Sequence, residues 1–233
     1  GYSSAASDVY KRQKYIRLRK KYLGLKQYHT YDRFLELAHS NKEYTYEEAK
    51  ELFFHSISQF PQDFQDKAHE VLRDGFVDVM EKVGKRTGAY SSSVANLHPF
   101  ILLNFDNTLD SVFTVAHEAG HSIHSMYATQ TQPTMLQDYT IFVAEIASTF
   151  NEHTLLDYFL SLPDATKEEK IMVIQKAIDE IMSTFYRQTL FAEYEYLANH
   201  EVAKGNHINH QVLSQIMIAV SYTHLTLPTN SLL

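Results

Sequence analysis

The 233-residue chain has no cysteine. That excludes disulfides and thiolate metal sites, and it is compatible with a reducing compartment. Glycine (7) and proline (5) are scarce, so few positions break a helix. No run approaches the roughly 18 consecutive apolar residues that a membrane-spanning helix needs, and no signal-peptide pattern opens the chain. Positive charge is also short. Lys and Arg total 21 against 28 Asp and Glu, and the formal net charge of −7 argues against a general nucleic-acid surface. The one basic run, Arg17 to Lys21, reads as a solvated helix face. There is no nucleophile elbow, phosphate loop, internal repeat or low-complexity tract.

What remains is a helix-forming composition with an excess of histidine. Hydrophobic residues make up 44% of the chain, enough for one sizeable core or part of a larger one, and Tyr (16) and Phe (14) are plentiful. Thirteen histidines are the one composition figure that points at chemistry. The pattern predicts a mainly α fold with a small β region. Helices are expected over 14–25, from the capping box Thr45-Tyr46-Glu47-Glu48 to Phe60, and over 62–73. A short strand at Ala89-Tyr90 and another within 98–105 follow, and then a helix with Asp110 as its N-cap. A loop over 130–137 leads to a helix over 138–162. The capping box Thr166-Lys167-Glu168-Glu169 opens a helix to about Lys204, and a last helix covers 209–220. The ends, 1–13 and 221–233, carry no such pattern and resemble translated adaptor sequence. They are expected to be a non-native leader and tail around a single-domain fragment, 14–220.

The chemistry concentrates in "HEAGH", His117 to His121. On a helix, positions i and i+4 share a face, so His117 and His121 can reach one metal ion. Glu118 sits one residue round, placed to act as a general base on a water at the metal. Composition alone gives about 0.05 such pentapeptides by chance, so the motif is not decisive by itself. Gly120 costs the helix about 1 kcal/mol relative to Ala, which calls for a packing reason. A catalytic zinc normally takes three protein ligands. Glu145, an acid inside the apolar run "IFVAEIAS", is the candidate third, because an unpaired buried carboxylate is costly. Glu152, seven residues later on the same face, can orient a ligating histidine. His124, seven after His117, is expected to support the site or face substrate. Two other readings use the same residues. A di-iron carboxylate bundle would pair Glu118–His121 with the second E-x-x-H at Glu36–His39. A non-enzymatic helical module would leave the histidines as ordinary polar positions.

Four stretches carry a resemblance: "GKRTGAYSSS", "HPFILLNFDNTLDSVFTVAHEAGHSIHSMY", "DYTIFVAEIASTFNE" and "FYRQTLFAEYE". In this order they resemble the oligoendopeptidase F branch of the thimet-oligopeptidase-like zinc metallopeptidases. The resemblance implies one zinc ion held by His117, His121 and Glu145, with Glu118 as the general base. It implies a mostly helical fold around a deep channel that hydrolyses short peptides with a zinc-activated water. It places Gly88, Ala89 and Tyr90 beside the substrate as a short strand, where backbone pairing would tolerate many side chains; Gly88 also suits close backbone approach. The implied partners are peptides, with no nucleic acid and no membrane, and the implied location is the cytoplasm. Such families place oxyanion-binding His and Tyr donors further toward the C-terminus. No counterpart is present before the pattern ends near Val220, so a central fragment with low turnover is expected.

Overall fold

The computed structural model describes residues 2–94 and 96–225. The expected leader and tail therefore lie outside the described residues at Gly1 and at 226–233. In chain order the elements are α1 (Tyr2–Tyr22), a 3₁₀ turn at Thr30–Phe34, α2 (Tyr46–Ser56), α3 (Gln62–Val71), β1 (Val77–Met80), β2 (Tyr90–Ser92), β3 (Phe100–Phe105), α4 (Leu109–Thr131), α5 (Ile141–Ser161), α6 (Lys167–Glu180), a π-helical turn at Ile181–Tyr186, α7 (Arg187–Ala203) and α8 (His210–Leu225). The fold is mainly α with one small sheet, as expected. Helix α1 begins at Tyr2, well before the expected 14, and the helix expected over 167–204 contains the π-helical turn. Among the described residues no helix is long and apolar enough to cross a membrane.

The chain forms two compact units, 1–39 with 171–233, and 40–170. In the first, Arg19 is the buried anchor at 1% exposure. This corrects the reading of Arg17 to Lys21 as a solvated face. The Arg19 guanidinium donates to the Tyr28 and Tyr15 hydroxyls at 3.2 and 3.3 Å and to the carbonyls of Asp32, Arg33 and Leu35, and it pairs with Asp179 at 3.6 Å. Five donors in a rigid fork let one arginine satisfy a loop of backbone carbonyls, which a solvated lysine cannot do. In this unit Glu36 and His39 lie at the surface and bond to each other at 3.0 Å.

The second unit holds the candidate site. Its spine is α4, packed on α2, α3, α5 and the sheet. Val112, Phe113, Val115, Ala116, Ala119 and Ile123 of α4 are 0–2% exposed. Buried with them, on the elements packed against α4, are Ala49 and Phe53 of α2, Leu155 and Phe159 of α5, and the alternating Ile101, Leu103 and Phe105 of β3. Each fully buried Phe, Leu or Ile contributes about 1.5–3 kcal/mol. Both capping boxes form: Thr45 Oγ1 accepts from the Glu48 N–H at 3.2 Å while Glu48 accepts from the Thr45 N–H at 2.7 Å, and Thr166 and Glu169 repeat the pair at 3.2 and 2.8 Å. The N-cap of α4 is Thr108, whose hydroxyl oxygen accepts from the Ser111 N–H at 3.2 Å. Asp110 lies instead in the first turn, where its charge complements the helix dipole. Helix α5 starts at Ile141 rather than at 138.

The sheet has the order β1-β3-β2, with β1 parallel and β2 antiparallel to β3. Strand β1 was not expected. It is short, carries Asp78, and draws its regularity from pairing with β3. Strand β2 pairs Tyr90, Ser91 and Ser92 with Leu102, Ile101 and Phe100, and so lies at an edge. Ahead of it, Gly88 takes φ +83° with nothing within 4 Å of a would-be Cβ. The left-handed turn by itself accounts for this glycine. Asn104 clamps that turn by donating to the Arg86 and Gly88 carbonyls at 2.8 and 2.7 Å.

Gly120 answers to packing. A Cβ there would lie 2.8 Å from the Ala147 carbonyl oxygen and 2.9 Å from Ser148 Cα, both backbone atoms of α5. Gly120→Ala is expected to destabilise the metal-free protein. The helix-propensity gain of about 1 kcal/mol opposes an overpacking cost of about 1–3 kcal/mol that falls on rigid backbone. A thermal melt checks this, and an unchanged or raised Tm would contradict it.

Candidate metal centre

Helices α4 and α5 cross at Gly120, and the crossing brings three donor groups together. His117, His121 and Glu145 offer ligand atoms that all lie within 4.8 Å of one another. His117 Nε2 and His121 Nε2 are 3.1 Å apart, and Glu145 Oε2 lies 3.6 and 3.7 Å from them. A tetrahedral zinc with bonds of about 2.0–2.1 Å has ligand atoms roughly 3.3 Å apart. The triangle brackets that value, and two imidazoles with one carboxylate are the donor chemistry zinc takes. The residues present fit the ion.

The surroundings orient these donors. His117 Nδ1 bonds to the Glu152 carboxylate. A carboxylate only accepts, so Nδ1 carries the hydrogen and the Nε2 lone pair is free for a cation. The Ala144 carbonyl accepts a hydrogen bond from the His121 ring. Burial pulls the His117 pKa down, but the hydrogen bond and charge of Glu152, with Glu118 and Glu145, outweigh it and leave it raised. His121 is lowered by burial and then by His117. The raised His117 pKa reports three carboxylates around that ring, a charge that a cation would balance.

Glu118 is 5% exposed, and its Oε2 has no hydrogen-bond partner among the described residues. Burial holds its carboxyl above the usual range, while the His117 charge and the Ser91 backbone N–H act the other way. Ser91 also bonds through its hydroxyl to Ser122 at 2.8 Å, joining β2 to α4. A cleft of about 440 Å³ opens over these groups, lined by Ala89, Tyr90 and Ser91 on the strand side and by Gln137, Asp138 and Tyr139 on the other. Gly88 does not line it. His124 does not line it either. Its ring stacks on Tyr139 at 3.8 Å, and burial lowers its pKa. Tyr139 donates to the His121 carbonyl at 3.3 Å and shares a 2.7 Å hydrogen bond with Ser125.

Glu145 reaches the cluster for a reason other than the one expected. Its side chain is 47% exposed, and the apolar run around it is open, with Phe142 at 81% and Ile146 at 59% exposure. Convergence with the histidines, and not burial, marks this residue. Four residues were not anticipated: Ser91, Tyr139, Ser148 and the buried Asn151, which donates to the Ala116 carbonyl at 3.3 Å. Only Ser148, three after Glu145 on one helix face, carries a spacing that reading could have used. Among the described residues the one metal-capable cluster is His117, His121 and Glu145, and it contains neither Glu118 nor Glu36 and His39, so the two E-x-x-H pairs of the di-iron reading do not form it.

The pattern of Peptidase family M3 matches residues 3–231. Oligopeptidase PepF of Bacillus subtilis (strain 168) is 37% identical over 204 residues, spanning 87% of this chain and 30% of that protein. An oligoendopeptidase F homolog of Lactococcus lactis subsp. lactis (strain IL1403) is 34% identical over 203 residues, spanning 87% of this chain and 34% of that protein. A crystal structure from Chlamydophila abortus superposes with a TM-score of 0.78 at 38% identity, covering 96% of this chain and 38% of the other. Oligoendopeptidase-F from Enterococcus faecium shares the fold at a TM-score of 0.61 and 24% identity, covering 97% of this chain and 32% of the other. The chain thus spans about a third of the length of the curated relatives it matches. By the match of nearly its whole length and by the relatives it aligns with, the chain belongs to peptidase family M3.

Proposed function

We propose that this chain carries the metal centre and part of the substrate cleft of a zinc-dependent oligoendopeptidase. One observation carries the reading: three zinc-type donors converge beside a buried glutamate whose Oε2 has no partner among the described residues, at a cleft with an edge strand for a wall. His117, His121 and Glu145 would hold one zinc ion. Zinc bound there supplies Lewis-acid chemistry, acidifying water and polarising a carbonyl. Glu118 takes the proton of the attacking water and returns it to the departing amine as the peptide C–N bond breaks. Glu152 keeps His117 in the tautomer that presents Nε2 to the ion. His124 acts from behind, holding Tyr139 and with it the His121 carbonyl.

The substrate is a short peptide in extended form. Ala89, just ahead of β2, and Tyr90 at its start offer backbone groups for strand-like pairing, which binds many sequences alike. Gly88 gives the turn that presents this edge. The names of the relatives, an oligopeptidase and an oligoendopeptidase F homolog, support the same substrate class.

The test uses an internally quenched peptide and the zinc-loaded chain. Hydrolysis is expected to stop on chelation and to return when zinc is restored. Hydrolysis that survives chelation would overturn the proposal, and so would a chain holding one zinc at these ligands that neither binds nor cleaves any peptide.

A further inference from the structure

Glu145 is the least constrained of the three donors. Its side chain is 47% exposed, and a long carboxylate at the surface samples several rotamers. Its Oε2 is nevertheless the oxygen that faces the two histidines. What holds it there is Ser148. The Ser148 side chain lies one helical turn on, at 0% exposure, and its hydroxyl donates to that same Oε2 at 2.8 Å, with the Glu145 carbonyl at 3.2 Å as a second acceptor. Among the described residues no other hydrogen bond reaches the Glu145 carboxylate. Ser148 is itself fixed by the α4–α5 crossing, since its Cα lies 2.9 Å from the place where a Gly120 Cβ would sit.

We propose that Ser148 is the positioning residue for the third metal ligand, locking Glu145 in the rotamer that completes the triangle. The idea rests on the proposed zinc site. The absence of a side chain on Gly120 lets α5 approach, Ser148 is pinned at the crossing, and its hydroxyl orients the carboxylate. A ligand held by a buried donor binds more tightly than one that must be ordered by the ion, and loss of such a partner typically weakens metal binding 10–100-fold.

The experiment measures zinc affinity by competition with a chromogenic chelator, together with the Tm of the metal-free chain. Ser148→Ala removes one oxygen and adds no bulk. It is expected to weaken zinc 10–100-fold with little change in the metal-free Tm. Thr149→Ala is the control, because the Thr149 hydroxyl donates to backbone carbonyls of Glu145 and Ile146 and not to the carboxylate. It is expected to leave zinc affinity within about twofold of wild type. In a Glu145→Ala background, titrated to zinc concentrations high enough to fill the two remaining histidines, Ser148→Ala is expected to add nothing, since the group it orients is gone. A further loss in that background would mean that Ser148 acts through general packing and would overturn the inference. So would equal zinc affinity of Ser148→Ala and wild type. A folded wild type that binds no zinc would bring down the metal centre as well.

Discussion

His117→Ala and Glu145→Gln are each expected to reduce zinc from about one ion per chain to near none at micromolar free metal. Zinc in such sites relies on three protein ligands and a water, and either change leaves two. Glu145→Gln is the sharper test, because the amide keeps the shape of the side chain while losing its charge and much of its affinity for a cation. His117→Ala has a second consequence. It strips Glu152, whose side chain is 13% exposed, of its Nδ1–H partner. A hydrogen bond to a charged group is worth about 1.5–3 kcal/mol, so the metal-free variant is also expected to melt lower. Wild type is expected to gain stability from zinc, by about 4 kcal/mol at a thousandfold excess over Kd, and both variants are expected to lose that gain. Elemental analysis with melts at two zinc concentrations reads all of this. Full zinc retention in either variant would remove that residue from the ligand set.

The contacts that were legible in the sequence are the local ones. Thr45 with Glu48 and Thr166 with Glu169 are read from spacing alone, because a capping box closes within one turn. The pairing of His117 with His121 is equally local. Glu152 needed one more step, a face shared over seven residues, and its contact with His117 spans two helices. Glu145 shows the limit. A carboxylate in an apolar run implies burial only if the run is buried, and Phe142 and Ile146 are open in this chain. What identifies Glu145 is the α4–α5 crossing angle and offset, which no one-dimensional pattern contains. Strand β1 was missed for a related reason: Val77 to Met80 has no strong pattern of its own and becomes a strand by pairing with β3. The N-cap of α4 was misplaced by two residues because Thr108 and Asp110 are both good caps. The choice is made by Asp106, which accepts from the Thr108 and Ser111 hydroxyls and sets the turn.

Glu118→Gln separates chemistry from metal binding. The variant is expected to hold zinc as wild type does and to lose about 10²–10⁴-fold in kcat on a quenched peptide, the usual worth of a positioned general base. Glutamine fills the same volume, and its amide oxygen can still accept from the Ser91 N–H, so the strand β2 wall stays in place. What it lacks is basicity. In the native chain burial raises the Glu118 carboxyl above the usual range, which makes its carboxylate a better proton acceptor, and its Oε2 has no partner competing for that proton among the described residues. The substitution removes that one property and leaves KM largely unmoved, because peptide pairing along β2 does not involve the carboxylate. A loss confined to KM would assign Glu118 to binding. A loss of zinc would make it a ligand or a support for one. Undiminished kcat would show that the proton goes elsewhere, and the buried carboxylate with its open Oε2 beside the donor triangle would then need another explanation.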